Sequence, residues 1–185
     1  MSTEAAFATL EQRLHALLEA LTGLHTTVVV DRPLQGQPAP QDTPALVDII
    51  GAGAENLIGW TMEALVAVQE SHPAARRDDI GALRDVLSAC HERIMQVNQG
   101  LLTELMSYER VADLARVGRT RGGEWRVWAL SVKQTLERCR EPLFDLQEAQ
   151  FECWRELAEH AGQRRAALIA HERPASGRNQ TSTSA

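Results

Sequence analysis

The chain has 185 residues, a formal net charge of −6 and an aromatic content of only 4%. This length suffices for one domain with a buried core, and the low aromatic content favours helices rich in Leu and Ala over a β-sandwich. The negative charge argues against bulk attraction to nucleic acid. Asp48 and Glu55 interrupt the longest apolar stretch, which is the best candidate for a membrane-spanning helix. We therefore expect no nucleic-acid partner and no membrane span.

The N-terminal residues and the cysteines indicate the compartment. The sequence MSTEAAFATLEQRL lacks the cationic start and the apolar core of a secretory signal. Cys90, Cys139 and Cys153 include no CxxC pair and do not form a disulfide framework. We therefore expect a cytoplasmic protein with reduced thiols.

An amphipathic helix is predicted at the N-terminus, over residues 1–22. Residues 23–43 are predicted as an extended linker or strap, because four of the chain's seven prolines lie within 31–44. The β-branched run TTVVV at 26–30 has no second strand-like run to pair with. We interpret it as an apolar strap across the bundle, continuing the first helix or anchoring the linker; the alternative is addition to a sheet edge of another protein. The apolar residues that define the first helix, spaced three and four apart, are Phe7, Leu10, Leu14, Leu17, Leu21 and Leu24.

The second helix is predicted over residues 44–71, with Pro73 breaking the chain after it. Gly51, Gly53 and Gly59 each weaken such a helix by about 1 kcal/mol relative to Ala. We interpret these glycines as positions of close helix approach, with a bent turn near Gly51 as the alternative.

The third and fourth helices are predicted over residues 78–117 and 123–171, from apolar seams that alternate spacings of three and four. Pro142 is expected to kink the fourth helix because proline lacks a backbone donor. Residues 173–185 carry no core residue and are predicted to be a disordered tail. The pattern predicts an all-α, antiparallel four-helix bundle, one domain over 1–172, with a long Pro-rich first connection and a coiled-coil-like C-terminal hairpin.

The short connection around Thr120 requires the last two helices to fold back on each other. Residues whose numbers sum to about 240 should then face one another, which places Cys90 level with Cys153. Any disulfide would join this pair, although small apolar residues in a helix seam are the interpretation that we prefer. Cys139 lies two heptads from Cys153, so those two thiols cannot share a metal ion.

The tip of this hairpin concentrates arginine and tryptophan. Residues 110–126 contain five arginines against two acidic residues. Next to a helix start, this excess of cationic charge can attract a carboxylate-rich or phosphate-bearing partner. The other interpretation is a plain turn, with glycines that permit it and arginines that face solvent. The aromatic residues require cover, in cis by the first helix or in trans by a second copy or another protein.

The sequence lacks the patterns typical of catalysis or metal binding. None of the six histidines follows a glutamate by three positions, as in di-iron bundles. The neighbours Cys90 and His91 point about 100° apart on a helix, so they do not form a nucleophile–base pair. We expect no enzyme activity, no cofactor and no metal.

Together these observations predict a non-catalytic interaction or scaffold module that self-associates or docks a protein partner through the hairpin tip. The alternative is a bundle that holds an apolar small molecule or lipid between helices, in a gap left by Gly51, Gly53 and Gly59. The candidate interaction residues are Tyr108, Arg116, Arg119, Arg121, Trp125, Arg126 and Trp128.

Overall fold

Helices form every regular element in the part of the chain that the structure describes. The computed structural model describes residues 2–33, 43–77, 79–117 and 123–172, apart from the side chains of 43–46, 105–117 and 169–172. The elements are α1 (Thr3–His25), a π-helical turn (Thr26–Val30), α2 (Thr43–Arg76), α3 (Ile80–Val117), α4 (Gly123–Arg138) and α5 (Arg140–Glu172). The predicted all-α class is confirmed, with α4 and α5 in the place of the fourth predicted helix.

The helices pack as an antiparallel bundle. α1 lies against α2 and α5, while α3 packs against α2, α4 and α5. Burying one large apolar side chain contributes about 1.5–3 kcal/mol, so the apolar face of α1 anchors the bundle. All six residues predicted on that face are fully buried: Phe7, Leu10, Leu14, Leu17, Leu21 and Leu24.

The first helix is longer than predicted. α1 extends to His25 and runs directly into the π-helical turn, so the prediction of an extended strap from residue 23 is wrong. Thr26 and Thr27 donate their hydroxyls to the carbonyls four residues earlier, at 2.9 and 3.0 Å. These bonds and the burial of Thr27 keep β-branched residues in a helical conformation. Of the interpretations of TTVVV, continuation of the first helix is the one that the structure shows.

α2 passes through the proline that was expected to end it. The predicted end before Pro73 is wrong, because the helix continues to Arg76. Packing holds this last turn, since Ala74 and Ala75 are both buried. Pro73 has no N–H for the carbonyl of Gln69, but Gln69 is exposed, so water can satisfy that carbonyl.

α3 begins at Ile80 and ends at Val117, close to the predicted range. Asp79 caps its start, because its Oδ1 accepts a hydrogen bond from the backbone N–H of Ala82 at 3.2 Å. The acidic residue at this boundary therefore decides where the helix starts.

Gln150 of α5 shows the register of the C-terminal hairpin. Its Nε2 donates to the carbonyl of Leu87 at 3.4 Å, and its Oε1 lies 3.3 Å from Nδ1 of His91. The residue numbers of these pairs sum to 237 and 241, so the predicted sum of about 240 is confirmed. Cys90 and Cys153 lie at this level, both fully buried and both free thiols.

The fourth predicted helix is interrupted at Cys139, between α4 and α5. Pro142 follows three residues later, and it has no N–H to donate to the carbonyl of Arg138. Its ring also crowds that carbonyl, which is the usual way in which proline breaks a helix. The kink predicted from Pro142 therefore takes the form of this break.

The C-terminal part of α5 extends beyond the bundle. Leu157 is the last buried residue described, and residues 161–168 are all exposed. α3 begins at Ile80, which the register places level with about residue 160. α3 therefore offers no surface to α5 past that level.

Three predictions concern segments that lie outside the described residues. They are the Pro-rich connection over 34–42, the tip residues 118–122 and the disordered tail over 173–185.

Candidate interaction site

The two tryptophans of the predicted tip are buried. Trp125 and Trp128, near the start of α4, are only 7% and 4% exposed. Their rings pack edge to face, with centroids 5.6 Å apart and planes at 81°. α4 contacts both α1 and the π-helical turn, so the two tryptophans are covered in cis.

A hydrogen bond joins Trp128 to the π-helical turn. Its indole Nε1 donates to the carbonyl of Thr27 at 2.9 Å. In an α-helix that carbonyl would accept from the N–H of Asp31. Here the N–H of Asp31 donates to the carbonyl of Thr26 instead, at 3.1 Å. The π-helical spacing therefore leaves the Thr27 carbonyl free for the indole.

The predicted interaction residues do not form one exposed cluster in the described structure. Arg126 is exposed on α4, whereas Trp125 and Trp128 belong to the core, so a docking role for the two tryptophans conflicts with their burial. The π-helical turn would have to leave α4 before either indole could reach a partner. The side chains of Tyr108 and Arg116, and the whole of Arg119 and Arg121, lie outside the described residues.

A cleft of about 370 Å³ lies beside Trp128, at the start of α4. Its described charged residues, Asp31 and Glu124, are both acidic, so they oppose the binding of an anion at this helix start. The full lining is Asp31, Pro33, Gly123, Glu124, Val127, Trp128 and Ser131.

The proposed gap is filled by other side chains at two of the three glycines of α2. A Cβ at Gly51 would lie 3.2 Å from Val29 Cγ2, and a Cβ at Gly53 would collide with the carboxyl group of Glu104. A Cβ at Gly59 would meet no atom within 4 Å. Close approach therefore explains Gly51 and Gly53, and no ligand-sized space remains over them.

Glu104 is a buried carboxylic acid on α3. It is 6% exposed, and its Oε2 has no hydrogen-bond partner among the described residues. Burial raises the pKa of Glu104 to about 7. The α3 seam signals this position, because Glu104 continues the three-and-four spacing of Ile94, Val97 and Leu101. Glu104 is absent from the candidate residues predicted from the sequence, because the seam was defined by its apolar residues alone.

The chemistry of the thiols is that of buried, inert side chains. Burial raises the pKa of Cys90 and Cys153 to about 12 and that of Cys139 to about 11. A thiol held neutral at pH 7 is a poor nucleophile and a poor metal ligand. Within the described ranges, no group of three His, Cys, Asp or Glu residues is arranged to hold a metal ion.

The outer surface of α5 exposes two phenylalanines. Phe144 and Phe151 are 59% and 69% exposed, whereas Phe7, the third phenylalanine of the chain, is fully buried. Residues seven apart lie within about 20° of each other around a helix, so both rings project from the same side. We call this side, with Glu141, Phe144, Glu148, Phe151 and Arg155, the α5 face.

The sequence itself contains a signal for the α5 face. Phe144 and Phe151 are one heptad apart, outside the buried seam of Leu143, Leu146, Gln150 and Cys153. A second heptad series on the same helix predicts a second contact surface.

No family model, curated protein or solved structure matches this chain. No helix in the described part of the chain has both the length and the apolar character needed to cross a bilayer.

Proposed function

We propose that this protein is a non-catalytic helical interaction module, and that it binds a protein partner through the α5 face. The exposure of Phe144 and Phe151 is the observation that carries the proposal. We keep the predicted class of function, but we place the docking surface in the middle of α5. The hairpin tip is not chosen, because Trp125 and Trp128 are covered there.

The energetics of the two phenylalanines support this choice. Moving one such side chain from water into an interface contributes about 1.5–3 kcal/mol. Aromatic residues are enriched at the centres of interfaces, and charged residues surround them at the rim. Glu141, Glu148 and Arg155 are exposed charged residues beside the two rings, and the exposed Arg140 lies four residues before Phe144.

The state of the cysteines supports a role without catalysis, in a reducing compartment such as the cytoplasm. Cys90, Cys139 and Cys153 are free and buried, and the pKa of each is raised to about 11 or 12. Thiols that burial keeps neutral serve packing rather than nucleophilic attack.

Site-specific photo-crosslinking in cells tests the proposal. The photoreactive residue benzoylphenylalanine would replace Glu148, which lies between the two phenylalanines on the α5 face. The control would replace Glu70, an exposed glutamate of α2. We expect a protein adduct on illumination of the residue-148 variant and none from the residue-70 variant. The same adducts from both positions, or none from either, would overturn the proposal.

A further inference from the structure

We infer that the partner on the α5 face is a second copy of this chain, packed antiparallel so that each Phe144 contacts the Phe151 of the other copy. This inference rests on the proposed function and names the occupant of the same surface.

The order of residues along the α5 face carries the inference. Glu141 and Phe144 precede Glu148, and Phe151 and Arg155 follow it, with spacings of three, four, three and four. These spacings keep all five residues on one side of the helix. When a second copy of α5 runs in the opposite direction, phenylalanine again lies against phenylalanine. The acidic end of each copy then lies against the basic end of the other.

A two-fold symmetric dimer forms each contact of this series twice. In a symmetric dimer, if one residue contacts a second residue of the partner, the second contacts the first in return. The antiparallel register that joins Phe144 to Phe151 also brings Glu141 of each copy beside Arg155 of the other. One register therefore provides two aromatic contacts and two ion pairs, and this charge complementarity favours a second copy over an unrelated protein. The exposed Arg140 of each copy lies level with Arg155 of the other copy, where the like charges offset part of this attraction.

Two features set the strength of the dimer. The exposed parts of the four phenylalanines supply roughly 500 Å² of apolar surface, less than the approximately 1,000 Å² that a stable interface buries in total. In addition, the two copies of Glu148 meet near the two-fold axis, where their charges repel each other. We therefore expect a weak dimer whose population rises with protein concentration.

A charge-exchange experiment tests the pairing directly. Glu141→Arg alone and Arg155→Glu alone each place like charges together across the dimer, whereas the double variant restores both ion pairs. Residues 141 and 155 are about 21 Å apart along their own helix, so mutual rescue can arise only between copies. Arg155 also pairs with Glu152 and Glu159 of its own chain, and the rescue measurement separates those local pairs from the contact across the dimer.

The measurement is the dimer dissociation constant, from sedimentation of the full chain over a concentration series. We expect each single reversal to weaken the dimer at least tenfold and the double variant to return to within about threefold of wild type. Glu148→Gln should tighten the dimer. Phe144→Ser with Phe151→Ser should give a monomer, while the control Val127→Ser, at an exposed apolar residue of α4, should not.

The outcomes separate this inference from the proposed function. A wild type that stays monomeric at all concentrations, or a double reversal that fails to rescue, overturns the second copy as partner. If the crosslink from residue 148 then joins a different protein, the interaction module stands and only the self-association is wrong. If the crosslink joins two copies of this chain and the rescue succeeds, both are supported.

Discussion

The indole Nε1 of Trp128 donates to the carbonyl oxygen of Thr27 across 2.9 Å, although 101 residues separate the two in sequence. This bond fastens the end of the N-terminal helix to the start of α4. It depends on the π-helical spacing of Thr26–Val30, because in that spacing the N–H of Asp31 donates to the carbonyl of Thr26 and leaves the carbonyl of Thr27 free.

Replacing the indole of Trp128 tests this link. Trp128→Phe removes the donor and leaves a buried carbonyl without its partner, so we expect a loss of about 1–3 kcal/mol in the free energy of unfolding. The matched control is Trp125→Phe. Trp125 is also buried, but its Nε1 has no hydrogen-bond partner among the described residues, so this change should cost less. Chemical denaturation measures both values, and equal losses would contradict the assigned role of the bond.

The buried acid Glu104 should make stability depend on pH. The unfolded chain releases this proton near the ordinary pKa of 4.5, and the folded chain releases it near 7. Between these values the folded state binds more protons, so its stability falls as pH rises. A shift of this size corresponds to about 3 kcal/mol above pH 7. We expect Glu104→Gln to be more stable than wild type at pH 8 and about equal to it at pH 4.

Glu11 provides the control of opposite sign for that experiment. Hydrogen bonds from Gln69 at 2.9 Å and His72 at 2.8 Å lower the pKa of Glu11. Its stabilisation is therefore present above pH 4.5 and is lost as the pH falls through its folded value. Glu11→Gln should reduce stability at pH 7 and have less effect at pH 3. If both variants shifted the pH profile in the same direction, the assigned pKa directions would be wrong.

The glycines of α2 should respond differently to the same substitution. Gly53→Ala places a methyl group where the buried carboxyl group of Glu104 lies, so this end of a flexible side chain must turn away, and we expect the cost to cancel part or all of the gain in helix propensity. Gly59→Ala meets no neighbouring atom and gains helix propensity, so we expect a gain of up to about 1 kcal/mol. Thermal unfolding of the two variants at one pH checks the order. A Gly53→Ala variant that gains as much stability as Gly59→Ala would contradict the contact between Gly53 and Glu104.

The three thiols should resist modification in the folded protein. At a given pH, raising the pKa from 9 to between 11 and 12 makes the thiolate about a hundredfold to a thousandfold rarer. Reaction with Ellman's reagent should therefore be slow for Cys90, Cys139 and Cys153 in buffer and fast for all three in guanidinium chloride. One equivalent of rapid colour from the native protein would show that one of these residues is accessible.

Periodic features were predictable from the sequence because their cause is local. The short connection around Thr120 predicted that facing residues have numbers that sum to about 240, and the hydrogen bonds of Gln150 to Leu87 and His91 confirm it. The interruption at Cys139 was predictable for a similar reason, because Pro142 disrupts the preceding turn through its own ring and its missing N–H.

Features that depend on distant partners were not predictable in this way. The helical state of Thr26–Val30 opposes the preference of β-branched residues, and it is held by contacts with α2 and α4. Ala74 and Ala75 keep α2 helical past Pro73 through burial that no local pattern reveals.

The contact between Gly53 and Glu104 has an evolutionary consequence. A side chain at position 53 displaces the carboxyl group of Glu104, so a larger residue there is accommodated by a turned Glu104 or by a shorter side chain at position 104. In relatives of this protein, positions 53 and 104 should vary together, and the distance between α2 and α3 should follow the combined size of the two side chains.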